Sequence, residues 1–151
     1  MPGPAVNATM TKFGYPATCV AETPLWSVQV RPQQATLGAL VLVCREPVTA
    51  FGALSAPAFA ELGRHVAAAE GVLKRLFAYD KINYLMLMMV DPDVHFHVLP
   101  RYAAERAFEG TAFRDPGWPR PPDLAHAPAL PDGLLDRLTA TVAAAWPGKP
   151  A

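Results

Sequence analysis

The 151-residue chain predicts a single α+β domain, and three observations carry that expectation. Residues 25–31 alternate: Trp26, Val28 and Val30 fall on one side, Ser27, Gln29 and Arg31 on the other. That period of two marks a half-buried strand. Residues 38–44 and 82–90 are nearly continuous apolar runs, as expected of buried strands. Between them Phe59, Leu62, Val66, Ala69, Leu73 and Leu76 recur at steps of three and four, one stripe along one helix. Helices and antiparallel-looking strands are partly segregated, which points to α+β.

The other elements follow in chain order. Residues 1–12 are small, polar and Pro-containing and read as flexible. Order begins near residues 13–20, and residues 32–36 form a turn. Pro47 and Gly52 make residues 45–54 a connection. Ser55 is placed to cap the long helix, with Pro57 in its first turn, and the helix ends near Phe77. Asp91-Pro92-Asp93 is a tight reversal before an alternating strand, residues 94–99. Residues 103–131 are rich in Pro and Gly and read as a long loop. Asp132 is the expected cap of a final helix over residues 132–146, carrying Leu134, Leu135, Leu138, Val142 and Trp146.

Composition excludes several classes. Apolar residues make up 52% and charged residues 17%, which rules out charge-rich disorder. Lys+Arg and Asp+Glu are both 13, so no broad basic surface for nucleic acid or acidic lipid is expected, while a local phosphate site remains open. Two cysteines, Cys19 and Cys44, make neither a disulfide framework nor a zinc site. No apolar run reaches the ~20 residues of a membrane helix, and the start of the chain lacks a signal-peptide pattern. A cytoplasmic protein without membrane or nucleic-acid partners is the expectation.

The chemistry gathers in one strand. Of four histidines, His95 and His97 are separated by one residue, so a strand points both rings to one face, with Asp93 alongside. Val94, Phe96 and Val98 take the other face. Three readings compete: an imidazole nucleophile at phosphorus, with its neighbours orienting the ring; a metal site of two His and one carboxylate; or two histidines with purely structural hydrogen bonds. His65 on the helix reads as exposed or at an interface. Arg31 reads as solvated, with a ribose-edge role as the alternative. His126 reads as a loop residue, and Tyr102, Arg106 and Trp118 read as local packing, with stacking over a base as the alternative.

Residues 94–101, VHFHVLPR, resemble the end of the signature of the histidine triad superfamily of nucleotide hydrolases and transferases, His-φ-His-φ-His-φ-φ with φ apolar. The Pro-Arg close resembles the dinucleotide polyphosphate hydrolase branch, that of the fragile histidine triad proteins. RPQQATLGALVLVCREPV, residues 31–48, resembles the upstream strand and basic loop of the same family. The resemblance covers about residues 25–102. It implies an antiparallel sheet of about five strands, one main helix, a C-terminal helix and a homodimer. It implies attack by His95 on the α-phosphate of a dinucleoside polyphosphate or nucleoside phosphoramidate, through a covalent NMP–histidine. His97 would hold phosphate and orient its neighbour, and Asn83 and Arg101 would contact nucleotide. It implies no cofactor and no catalytic metal.

Three positions depart from the family pattern. Asp93 stands for the first triad histidine, where a carboxylate can still accept a ring N–H. Ala39, after Gly38, stands for an upstream histidine. Val90-Asp91-Pro92 replaces a Gly-x-x-Ala-Gly-Gln stretch of phosphate donors. Loss of one preorganised donor costs on the order of 10²–10³ in rate. A nucleotide-binding protein with little turnover is therefore the second reading.

Overall fold

The computed structural model describes residues 5–148. Five strands, β1 (Cys19–Glu22), β2 (Trp26–Val30), β3 (Leu40–Cys44), β4 (Lys81–Leu85) and β5 (His95–Arg101), form one antiparallel sheet in the order β1-β2-β3-β5-β4. Helix α2 (Ala56–Phe77) and helix α3 (Leu134–Ala145) pack on one face. The main core lies between them, around Trp26, Val28, Leu40, Leu42, Leu73, Val98 and Leu138. The expected α+β architecture is the observed one.

Local chemistry explains the boundaries. Ser55 caps α2 by accepting the Ala58 N–H, and Ala78 ends it in the left-handed conformation at φ 50°. At φ +86°, Gly38 sits where a Cβ would lie 3.0 Å from the Phe77 ring and 3.1 Å from Leu73, so the turn entering β3 needs glycine. Pro100 is tolerated inside β5 because β3 stops at the Leu40–Val98 pair. Beyond it, β5 pairs only with β4.

The structure corrects several expectations. Residues 8–12, read as flexible, form helix α1 (Ala8–Lys12), capped by Asn7, whose side chain accepts the Met10 N–H. Residues 1–4 of that segment lie outside the described residues. Met10 and Phe13 pack on Val41 and Val43, covering the sheet face opposite the helices. That second layer buries Ser27 and Gln29, the polar side of β2; Gln29 donates to the carbonyls of Met10 and Phe13. Residues 86–90 leave the sheet after the Leu85–His97 pair, and Met88 turns to φ 54°. The stripe of α2 is rotated from that expected. Ala58, Glu61, His65, Ala69, Val72, Leu73 and Phe77 are buried, while Phe59 is exposed. His65 is thus an interior residue, held by Glu61 at 3.0 Å.

The long loop contains a hairpin, β6 (Arg106–Phe108) and β7 (Thr111–Phe113), closed by Glu109 and Gly110, both at positive φ. At α3, Gly133 at φ 77° occupies the cap position without a side-chain bond, and Asp132 stands outside. No helix of the described residues is long and apolar enough to cross a membrane.

Candidate active site

β5 carries His95, His97, Leu99 and Arg101 on the face away from α2 and α3. The two rings meet edge-on, centroids 5.2 Å apart, and Phe13 closes over both at 6.2 Å and 5.6 Å. They line a cleft of about 200 Å³ with Lys12, Arg31, Gln33, Asp91, Leu124 and residues 87–90.

One hydrogen bond settles the tautomer of His95. Its Nδ1 lies 2.6 Å from the Asp93 carbonyl oxygen. A carbonyl only accepts, so Nδ1 carries the proton, and in the neutral ring the lone pair is on Nε2. Nε2 makes no hydrogen bond among the described residues and belongs to a ring that lines the cleft. The chain thus presents an oriented imidazole whose Nε2 is unengaged.

His97 is buried, and its Nδ1 has no hydrogen-bond partner. Burial first, then the positive charge of Arg31 and the neighbouring His95, push its pKa down to about 4. It is neutral at pH 7. Arg31 is also buried. It donates from Nη1 to the Gln33 carbonyl at 2.8 Å, while its Nε is buried without a partner. No carboxylate pairs with it among the described residues. Lys12 instead spans both oxygens of Asp91, at 2.9 Å and 2.8 Å. An uncompensated guanidinium beside the two rings suits an anionic group next to His95.

The other sequence candidates lie elsewhere. Asp93 supplies its backbone carbonyl to His95, not its carboxylate. Its Oδ2 accepts the Thr9 hydroxyl at 2.9 Å and the Thr9 N–H at 3.3 Å, tying α1 to the start of β5. The carboxylate therefore does not join the two rings. Among the described residues no three His, Cys, Asp or Glu side chains are grouped to hold a metal ion. Arg101 and Asn83 form a separate group at the far end of β5, about 13 Å beyond His97 by strand rise. Ala39 is buried against Ala35 and Leu99.

No family model matches the sequence, and no curated protein matches it. Solved structures match closely in shape. A histidine triad protein from Bradyrhizobium japonicum superposes with a TM-score of 0.70 at 20% identity, over 93% of this chain and 96% of its own. One from Marinobacter aquaeolei gives 0.68 at 21%, over 95% and 93%. A hypothetical histidine triad nucleotide-binding protein from Sulfolobus tokodaii gives 0.68 at 14%, over 85% and 82%. The chain has the histidine triad fold. At such identities the likeness is one of fold, and the chemistry rests on this chain's own residues.

Within the histidine triad fold, Arg31, Lys12 and Phe13 belong to the site although their places in the sequence did not mark them for it. Arg31 alternates with Val30 and so looked solvated, and the other two belong to or border a segment read as flexible. The available signal was Gln29 and Arg31 on one face of a strand whose neighbour is apolar on both faces. The covering of β3 implied a second layer over them.

His97 makes stability depend on pH. In the folded protein its pKa is lowered to about 4, against about 6.5 in the unfolded chain. Between those values the unfolded state binds more protons. The stability is therefore fully present above the unfolded value and is lost as pH falls towards about 4. Melting curves from about pH 7.5 to about 4.5 are expected to show a falling midpoint, with a shallower fall in His97→Asn.

Proposed function

We propose that the protein is a nucleotide hydrolase or transferase acting at the α-phosphate, with His95 as nucleophile. The observation that supports it is the Nδ1–H bond to the Asp93 carbonyl, which leaves the Nε2 lone pair to attack. In the proposed first step Nε2 bonds to the α-phosphorus, and the bond from phosphorus to the leaving group breaks, the electron pair going with it. The Asp93 carbonyl then stabilises the positive charge that the ring gains. Water attacks the phosphorus in the second step, the P–N bond breaks with its electron pair returning to Nε2, one proton of the water passes to solvent, and NMP leaves. Arg31, which lines the cleft beside both rings, would offset the phosphate charge. Dinucleoside polyphosphates and nucleoside phosphoramidates are the substrate classes the family resemblance implies.

A second reading, nucleotide binding with little turnover, draws on the opposite wall. Leu87, Met88, Met89 and Val90 line the cleft there, and Val90-Asp91-Pro92 stands in place of the family's stretch of phosphate donors. Release of NMP from diadenosine polyphosphate and adenosine phosphoramidate separates the two. Wild type is expected to turn over at least one of them with excess chelator present, and Arg31→Ala to lose about 10²-fold in kcat/KM. Binding without release would favour the second reading, and loss of turnover on chelation would restore a metal-dependent one.

The homodimer belongs to the same proposal. β4 is an edge strand, and exposed Leu87, Met89 and Val90 follow it. Sedimentation at micromolar concentration tests it, and a monomer would remove it.

A further inference from the structure

Asn83, Arg101 and Trp118, which the reactive cleft does not use, come together in a second and larger one. It measures about 430 Å³, lies over β4 and the end of β5, and is lined by Lys81, Asn83, Arg101, Arg120 and the Trp118-Pro119 pair. Its centre is built rigidly. The Arg101 guanidinium, 4% exposed with its residue, donates from Nε to Asp115 Oδ2 at 2.6 Å and from Nη2 to Oδ1 at 3.1 Å. Nη2 also donates to the Arg120 carbonyl at 2.8 Å, and Nη1 to Asn83 Oδ1 at 2.7 Å. Asp115 accepts in addition the N–H groups of Tyr102 and Gly117, each at 3.2 Å. A Cβ on Gly117 would lie 2.4 Å from the Pro121 carbonyl, so the turn closes too tightly around Arg101 for any other residue. The wall that carries Trp118 is therefore set before any ligand arrives.

The polar side chains that line it are left with donors. Asn83 gives its carbonyl oxygen to Arg101, so its amide offers only N–H donors to the cleft. The Arg120 carbonyl is taken by Arg101. Lys81 stands directly across the strand pair from Arg101, an unfavourable pairing of like charges. Asp115 neutralises Arg101, but no carboxylate pairs with Lys81 or Arg120 among the described residues. The cleft thus combines donors, uncompensated positive charge and an indole, in a chain whose formal net charge is zero.

We propose that this cleft is a second binding site, separate from the one around His95, for a planar aromatic ring that bears a phosphate or a carboxylate. The ring packs on Trp118 and the anion meets Lys81, the Asn83 amide and Arg120.

The indole N–H resonance of Trp118 is the natural probe, since Trp26 and Trp146 are both buried. It is assigned by its loss in Trp118→Phe and followed during titration of the full chain with AMP, naphthoate, adenosine and ribose 5-phosphate. A saturable shift with AMP or naphthoate at or below about 1 mM is expected. Adenosine, which lacks the anion, and ribose 5-phosphate, which lacks the ring, should bind about tenfold more weakly or worse. Response to AMP alone would identify a phosphate ligand, and response to naphthoate a carboxylate. Lys81→Glu should weaken binding about tenfold or more, with Lys81→Ala as the milder control, and Arg31→Ala should leave the Trp118 response intact. No saturable shift with either anion would overturn the proposal. So would equal binding of adenosine, or a response that disappears in Arg31→Ala and persists in Lys81→Glu.

Discussion

His95→Ala is expected to abolish turnover while the protein stays folded and still binds nucleotide. The ring lies in a cleft, bonds only to a backbone carbonyl, and packs against Phe13 and His97 at its edges. Its removal opens space beside the existing cleft and leaves the Asp93 carbonyl able to take a water, so the stability cost should be modest. The chemical cost is of another order, because the loss of a covalent nucleophile removes the reaction path itself. Turnover should fall below about 10⁻³ of wild type, with nucleotide binding changed by less than about tenfold. A His95→Ala protein that turns over at a tenth or more of the wild-type rate would rule out the nucleophile assignment.

The largest stability effect is expected at Arg101. Its guanidinium meets Asp115, whose side chain has no solvent exposure, in a two-toothed pair at 2.6 Å and 3.1 Å. Removing one partner strands the other's charge inside, which costs about 3–5 kcal/mol. Arg101→Ala and Asp115→Ala should each lose that much in denaturant unfolding. The double variant should lose clearly less than the sum, because it leaves no charge stranded. The same variants separate structure from catalysis. Arg101 lies about 13 Å along the strand from His97, so the folded fraction of Arg101→Ala should keep most of its kcat. A selective collapse of kcat with unchanged stability would place Arg101 in the reaction instead.

The strands and the long helix could be read from the sequence because their periodicity is local. Trp26, Val28 and Val30 face the core as alternation requires, and Ser55 caps α2. The pairing of His95 and His97 on one face was equally local, a consequence of the pleat. What the sequence concealed came from layers that only the folded chain assembles. Gln29 and Arg31 looked solvent-facing because polar alternation marks an outer face. The α1 segment covers that face, and their polar atoms instead anchor it or line the cleft. Asp93 looked like a ring partner because it shares the strand's phase with His95. Its carboxylate found Thr9 in that same segment, and the main chain took over the role at the ring. Arg101 belonged to the most family-like stretch of the sequence, yet its partners Asp115 and Arg120 are supplied by a loop with no periodic signal.

The covalent step is the most direct test of the account. Wild-type protein mixed with adenosine phosphoramidate or diadenosine polyphosphate, quenched in acid-free denaturant early in turnover, is measured by intact mass and then mapped by fragmentation. The account predicts a mass gain of one adenosine monophosphate residue, localised to His95 and missing from His95→Ala. NMP release with no such adduct, or an adduct on another residue that persists in His95→Ala, would contradict it.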